Sequence, residues 1–81
     1  VINLNDSGYL ENNIVVLRAE RKWSQSELAE KVGVSRQTIA SLEANRYNPS
    51  LILAYEIALV FNKQIDDVFT YELWEDDADD N

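Results

Sequence analysis

Arg36, Gln37 and Ser41, with Ser35 just before them, are the side chains of this chain best suited to reading another molecule by hydrogen bonds. An arginine fork matches guanine O6 and N7, and a glutamine amide matches adenine N6 and N7. Each such bidentate pair discriminates between bases by roughly 1–3 kcal/mol. Alone, Arg-Gln-Thr would be ordinary solvent-facing polarity. Its meaning comes from the frame around it, SQSELAEKVGVSRQTIASLE, from Ser24 to Glu43. Other chemistry is poorly served. The chain has no histidine and no cysteine, which removes the usual zinc sites, His-based triads and any disulfide framework. An enzyme needs a convergent nucleophile, base or ligand set, and none is visible. No catalysis, cofactor or metal is expected.

The frame has the grammar of two short helices around a tight turn. Ser24 can cap the first helix, and Glu27 stands three residues on, where a carboxylate closes a capping box. Leu28, Ala29 and Val32 then recur on one helical face. Gly33 falls just past the helix end, where a left-handed residue costs least. Val34 is apolar and placed to plug the corner beneath the turn. Ser35 is a fresh N-cap for a second helix from Arg36 to Glu43, with Ile39 and Leu42 as its inward stripe. Two capped helices split by a glycine turn make a helix-turn-helix, and Ser35, Arg36, Gln37 and Ser41 lie on the outward side of its second helix.

The pattern resembles the Cro/CI-type helix-turn-helix regulators, the XRE family, from about Asn13 to Phe69. The matching residues are Leu17-Arg18, Ser24-Gln25, Glu27-Leu28-Ala29, Gly33-Val34-Ser35, Thr38-Ile39, Leu42-Glu43 and Asn48-Pro49-Ser50. The resemblance implies an all-α bundle of about five helices that binds double-stranded operator DNA, usually as a homodimer. It implies that Gln25 contacts phosphate and braces the recognition helix. It also implies that Ser35, Arg36, Gln37 and Ser41 meet bases, with Thr38 in reach of phosphate. Asn45-Arg46-Tyr47-Asn48 looks like the family's backbone-gripping loop, with Asn45, Arg46 and Tyr47 as phosphate partners. Arg18 and Glu43 are similar to a buried ion pair that ties helix 1 to the end of the recognition helix. Two positions depart from the pattern. Trp23 replaces a smaller apolar residue. Ala44-Asn45 replaces a common Glu-x-Gly ending, though Asn tolerates the left-handed conformation needed there.

The 81 residues suit one small domain. The organisation expected is an N-terminal extension over 1–10, the helix-turn-helix domain over 11–69, a strand over 70–74 and an acidic, disordered tail over 75–81. Net charge is −8, unlike the basic footprint usual for a nucleic-acid binder. The acids are unevenly placed: six lie from Glu72 onward with no base, while Glu11–Tyr71 holds seven bases and eight acids. Local sign governs docking more than the total. The tail could compete with DNA for the basic face. Its acid spacing is not that of a calcium loop. No apolar run reaches membrane-spanning length, and a cytoplasmic location is expected.

Ser50 should cap a fourth helix, LILAYEIALVF from Leu51 to Phe61. Ala54, Ile57, Ala58 and Phe61 form one stripe; Ile52, Tyr55 and Leu59 form another. A helix apolar nearly all round needs burial on most sides. In so small a domain the second stripe predicts a subunit interface, and the resemblance extends it to Tyr71 and Trp74, because some compact members of the family dimerise through such a C-terminal extension; Tyr71, Leu73 and Trp74 could alternatively line a ligand site. Ile65–Phe69 reads as a last short helix. Thr70–Trp74 alternates and is rich in strand formers; it could pair with Val1–Leu4 as a small sheet of the termini. The leading function is sequence-specific DNA binding, as a repressor at a near-palindromic operator. The alternative is a protein-interaction module of the same fold, antitoxin-like or regulator-binding, using its acidic surface. The sequence does not say whether a small-molecule inducer acts.

Overall fold

The computed structural model describes residues 7–74. Along them run β1 (Gly8–Asn12), α1 (Ile14–Arg21), α2 (Gln25–Val32), α3 (Arg36–Glu43), α4 (Leu51–Val60), α5 (Ile65–Val68) and β2 (Phe69–Leu73). The described residues thus form the expected mostly helical bundle of five helices, with a small two-stranded antiparallel sheet.

Local chemistry sets the helix boundaries. The Ser24 hydroxyl accepts the Glu27 N–H at 3.0 Å, and the Glu27 carboxylate accepts the Ser24 N–H at 2.7 Å, completing the capping box. Ser35 and Ser50 cap α3 and α4 in the same way, accepting from Thr38 and Leu53. Each cap satisfies an otherwise orphaned donor and contributes about 1 kcal/mol. Gly33 ends α2 at φ 74°, in the left-handed region. Asn45 takes φ 58° after α3, the conformation its side chain tolerates better than most.

One core joins the elements. Ile14 and Leu17 of α1 meet Leu28 and Ala29 of α2, Ile39 and Leu42 of α3, and Ala54, Ile57 and Ala58 of α4. Phe61, Val68 and Phe69 complete it. Each fully buried large aliphatic or aromatic side chain contributes roughly 1.5–3 kcal/mol. Val34 packs against this core from the turn, and Trp23 does so from the α1–α2 corner, stacked on Phe61 at 5.4 Å. Only the first apolar stripe of α4 is used. Ile52, Tyr55 and Leu59 face outward, with Ile52 71% and Leu59 73% exposed.

The sheet pairs β2 with Gly8–Asn12, in the register Gly8↔Leu73, Leu10↔Tyr71 and Asn12↔Phe69. The strand thus runs across the expected boundary at residue 10. The physical reason lies at Gly8, which the Asp6-Ser7-Gly8 run marks as a turn. A Cβ there would run into the Glu72 carbonyl oxygen, so the glycine serves a close approach of two backbones. Val1–Leu4 and the acidic tail 75–81 lie outside the described residues.

Candidate nucleic-acid interface

Helix α3 turns Ile39 and Leu42 into the core and leaves its N-terminal side outward. Ser35, Arg36 and Gln37 are exposed there, and Thr38 and Ser41 are half-buried. Gln37 and Ser41 are four residues apart and share a face. Ser35 has a structural duty: its hydroxyl caps α3 and lies 3.0 Å from the Thr38 hydroxyl. Arg36, Gln37 and Ser41 have no such commitment to the helix start.

A chain of hydrogen bonds runs from the core to Arg36. Arg18 of α1 grips Glu43 through Nε at 2.6 Å and Nη2 at 3.1 Å, and gives Nη1 to the Trp23 carbonyl at 2.8 Å. The pair is nearly out of water, with Glu43's side chain 7% exposed. The hydrogen bond to Glu43 raises the Arg18 pKa above its ordinary value, outweighing the opposing cost of burial. A raised cation pKa gives stability that is complete below the unfolded-state value and lost only as pH rises through the folded one. Both lie far above neutral pH, so Arg18 keeps its charge at any working pH.

Glu43 Oε1 also accepts the Gln25 amide N–H at 2.8 Å, and Gln25 Oε1 accepts Arg36 Nη1 at 2.8 Å. A carboxylate only accepts, so Glu43 decides which end of the Gln25 amide faces inward. The carbonyl end then faces Arg36. With Nη1 engaged, Arg36 keeps its Nε and Nη2 donors, an edge that can meet two acceptors side by side.

The loop after α3 is exposed at Asn45, Arg46 and Tyr47. The Arg46 N–H donates to the Ser41 carbonyl at 2.9 Å, and the Asn45 N–H to the Leu42 carbonyl at 3.0 Å. Arg46 forms no ion pair among the described residues. Two other cations are engaged elsewhere: Arg21 lies over the Phe61 ring and donates to the Phe61 carbonyl, and Lys31 lies 4.6 Å from the Trp23 ring centroid.

The apolar residues named from sequence for a subunit contact all reach the surface. Ile52, Tyr55 and Leu59 are exposed on α4, and Tyr71 and Trp74 at β2 and just after it. Trp74 also packs on Tyr9 with ring centroids 4.5 Å apart.

Sequence reasoning missed Asn12. Its amide donates to the Leu42 carbonyl at 2.8 Å and to Asn45 Oδ1 at 3.0 Å, and its Oδ1 accepts the Ile14 N–H at 3.1 Å. The available signal was an asparagine just before a helix, a residue type that caps orphaned N–H groups.

The described residues hold no group of three or more acidic, His or Cys side chains able to bind a metal ion. None of their helices is long and apolar enough to cross a membrane.

A capped helix held outward on a bundle, followed by an exposed loop that carries Arg46, is the arrangement of a helix-turn-helix domain. Residues 16–68 match the helix-turn-helix family, and the chain belongs to it as a Cro/CI-type, XRE-family member. That family is one of DNA-binding transcriptional regulators, not an enzyme class. An HTH-type transcriptional regulator of Archaeoglobus fulgidus is 51% identical over 69 residues, covering 82% of this chain and 97% of that protein. The immunity repressor of Bacillus phage phi105 is 42% identical over 52 residues, 64% of this chain and 36% of that one. Among solved structures, the biofilm regulator SinR in complex with DNA superposes with a TM-score of 0.61 at 35% identity, over 65% of this chain and 86% of its own.

Proposed function

We propose that the protein is a sequence-specific repressor that binds a near-palindromic operator as a homodimer. Ser35, Arg36, Gln37 and Ser41 face the bases of the major groove. Gln25, Thr38, Asn45, Arg46 and Tyr47 face the phosphates. The single observation that carries this reading is the outward edge of α3, where Arg36 is held by Gln25 while Gln37 stands exposed beside it. Phosphate contacts fix register and carry no sequence, whereas base edges carry it, so the two groups divide affinity from specificity. Two copies would place their α3 helices in successive major grooves about 34–36 Å apart. Repression needs only occupancy of the site, and the phage relative is named a repressor.

The test starts with selection of bound sequences from random DNA. On the recovered site, Gln37→Ala is expected to weaken binding by roughly 1–3 kcal/mol and to relax one base position. Binding to unrelated DNA should stay nearly constant. Equal losses on both DNAs would remove base readout from Gln37.

A further inference from the structure

We infer that Asn12, which lies outside the family-matched segment 16–68, is a positioning residue that sets the phosphate-gripping loop. The inference rests on the DNA-binding reading above. Asn12 ends β1 opposite Phe69 of β2. The next residue is stitched to the same place: the Asn13 N–H donates to the Val68 carbonyl at 2.9 Å and its amide to the Asp67 carbonyl at 3.2 Å. The strand end is therefore a fixed point, held on its own side by α5 and β2.

From that point the Asn12 side chain reaches across to the end of α3. Its two amide hydrogens meet Leu42 O and Asn45 Oδ1, and its oxygen takes the Ile14 N–H. Every hydrogen of the amide is used. The Leu42 carbonyl is one of the last four of α3, which lack intrahelical partners. It receives Asn12 on one lone pair and the Asn45 N–H on the other. Asn45 sits at φ 58°, so its backbone path is unusual and its side-chain direction needs a partner. Asn12 supplies that partner by holding Asn45 Oδ1. An amide is planar, so fixing its oxygen inward turns its two Nδ2 hydrogens away from Asn12, on an exposed residue. Those hydrogens suit a phosphate oxygen. The strand pair thus gives the loop a fixed anchor that the helix-turn-helix alone does not contain.

A double-mutant cycle tests this, with dissociation constants measured on the selected operator and on an unrelated duplex. Asn12→Ser keeps an oxygen for Ile14 but is too short to reach Leu42 and Asn45; Asn12→Ala removes everything. Melting curves establish that each variant is folded at the assay temperature. The net value of one hydrogen bond corresponds to about a threefold to tenfold change in affinity. Asn12→Ser should weaken binding by that factor on both duplexes alike, because a phosphate contact carries no sequence. In an Asn45→Ala background it should weaken binding no further, although it still lowers the melting temperature. A purely structural asparagine would lower the melting temperature in both backgrounds without that masking. Additive losses, or folded Asn12→Ser binding like wild type, overturn the proposal and leave the DNA reading standing. Wild-type protein that retains neither duplex overturns both.

Discussion

At the scale of single residues, Glu43 joins two tasks. It neutralises Arg18 in a nearly dry corner, and it orients Gln25, which in turn holds Arg36. These links make different predictions. Glu43→Ala leaves the Arg18 guanidinium without its carboxylate, and breaking a buried pair in this way costs roughly 3–5 kcal/mol. That is a large share of a small domain's stability, and urea melts should show it directly. Gln25→Ala leaves the ion pair in place, so the melt should move by less than about 1 kcal/mol, the net value of an ordinary hydrogen bond. Arg36 then loses its brace, and discrimination at the base it is proposed to read should fall. If the base preferences of Gln25→Ala match wild type position by position, the amide does not position Arg36. The identities of these residues were legible through the family resemblance. The Gln25–Glu43 bond was not, since nothing in the spacing of residues 25 and 43 says which way an amide faces.

At the scale of elements, legibility followed locality. The turn from α2 to α3 depends on a serine, a glycine and a second serine within a dozen residues, and each acts on its immediate backbone. The sequence therefore places the caps at Ser24, Ser35 and Ser50 where the structure has them. The strand pairing depends on residues more than fifty apart, and local alternation does not pick out Gly8–Asn12 as the partner of β2. Gly8-Tyr9-Leu10-Glu11-Asn12 has glycine, glutamate and asparagine, all poor strand formers. It is a strand because β2 needs a partner that allows close approach at Gly8. Gly8→Ala tests this reason. The added methyl would meet the Glu72 carbonyl and the Tyr71 ring, and crowding of this kind typically costs about 1–3 kcal/mol. The loss should appear as a lower melting temperature, with hydrogen exchange speeding up in β1 and β2 before α2 and α3. An unchanged melt would mean that the two strands can separate at that end without consequence.

At the scale of the whole molecule, two quantities are out of balance. The chain carries a net charge of −8, yet only Arg36 and Arg46 are cations of the proposed DNA face. A single copy therefore releases few counterions on binding and holds DNA weakly. The same chain is short, and a domain of this size buries only about 60% of its unfolded surface. Yet it leaves Leu51, Ile52, Tyr55 and Leu59 of α4 in the open, together with Tyr71, Leu73 and Trp74. The proposed second copy would answer both problems at once, because it would cover apolar surface and make the second DNA contact intramolecular. Such linkage raises avidity by about 10²–10⁴ without any new protein–DNA bond. Leu59→Glu should separate these effects. The side chain is 73% exposed, so the monomer fold should survive, and circular dichroism should match wild type. Sedimentation should show wild type as the proposed dimer and the variant as a monomer at the same concentration. Affinity for the full operator should fall by about 10²-fold, while affinity for an isolated half-site stays within about twofold. A wild-type protein that sediments as a monomer, with operator affinity untouched by Leu59→Glu, would remove α4 from the interface and leave one copy to hold DNA alone.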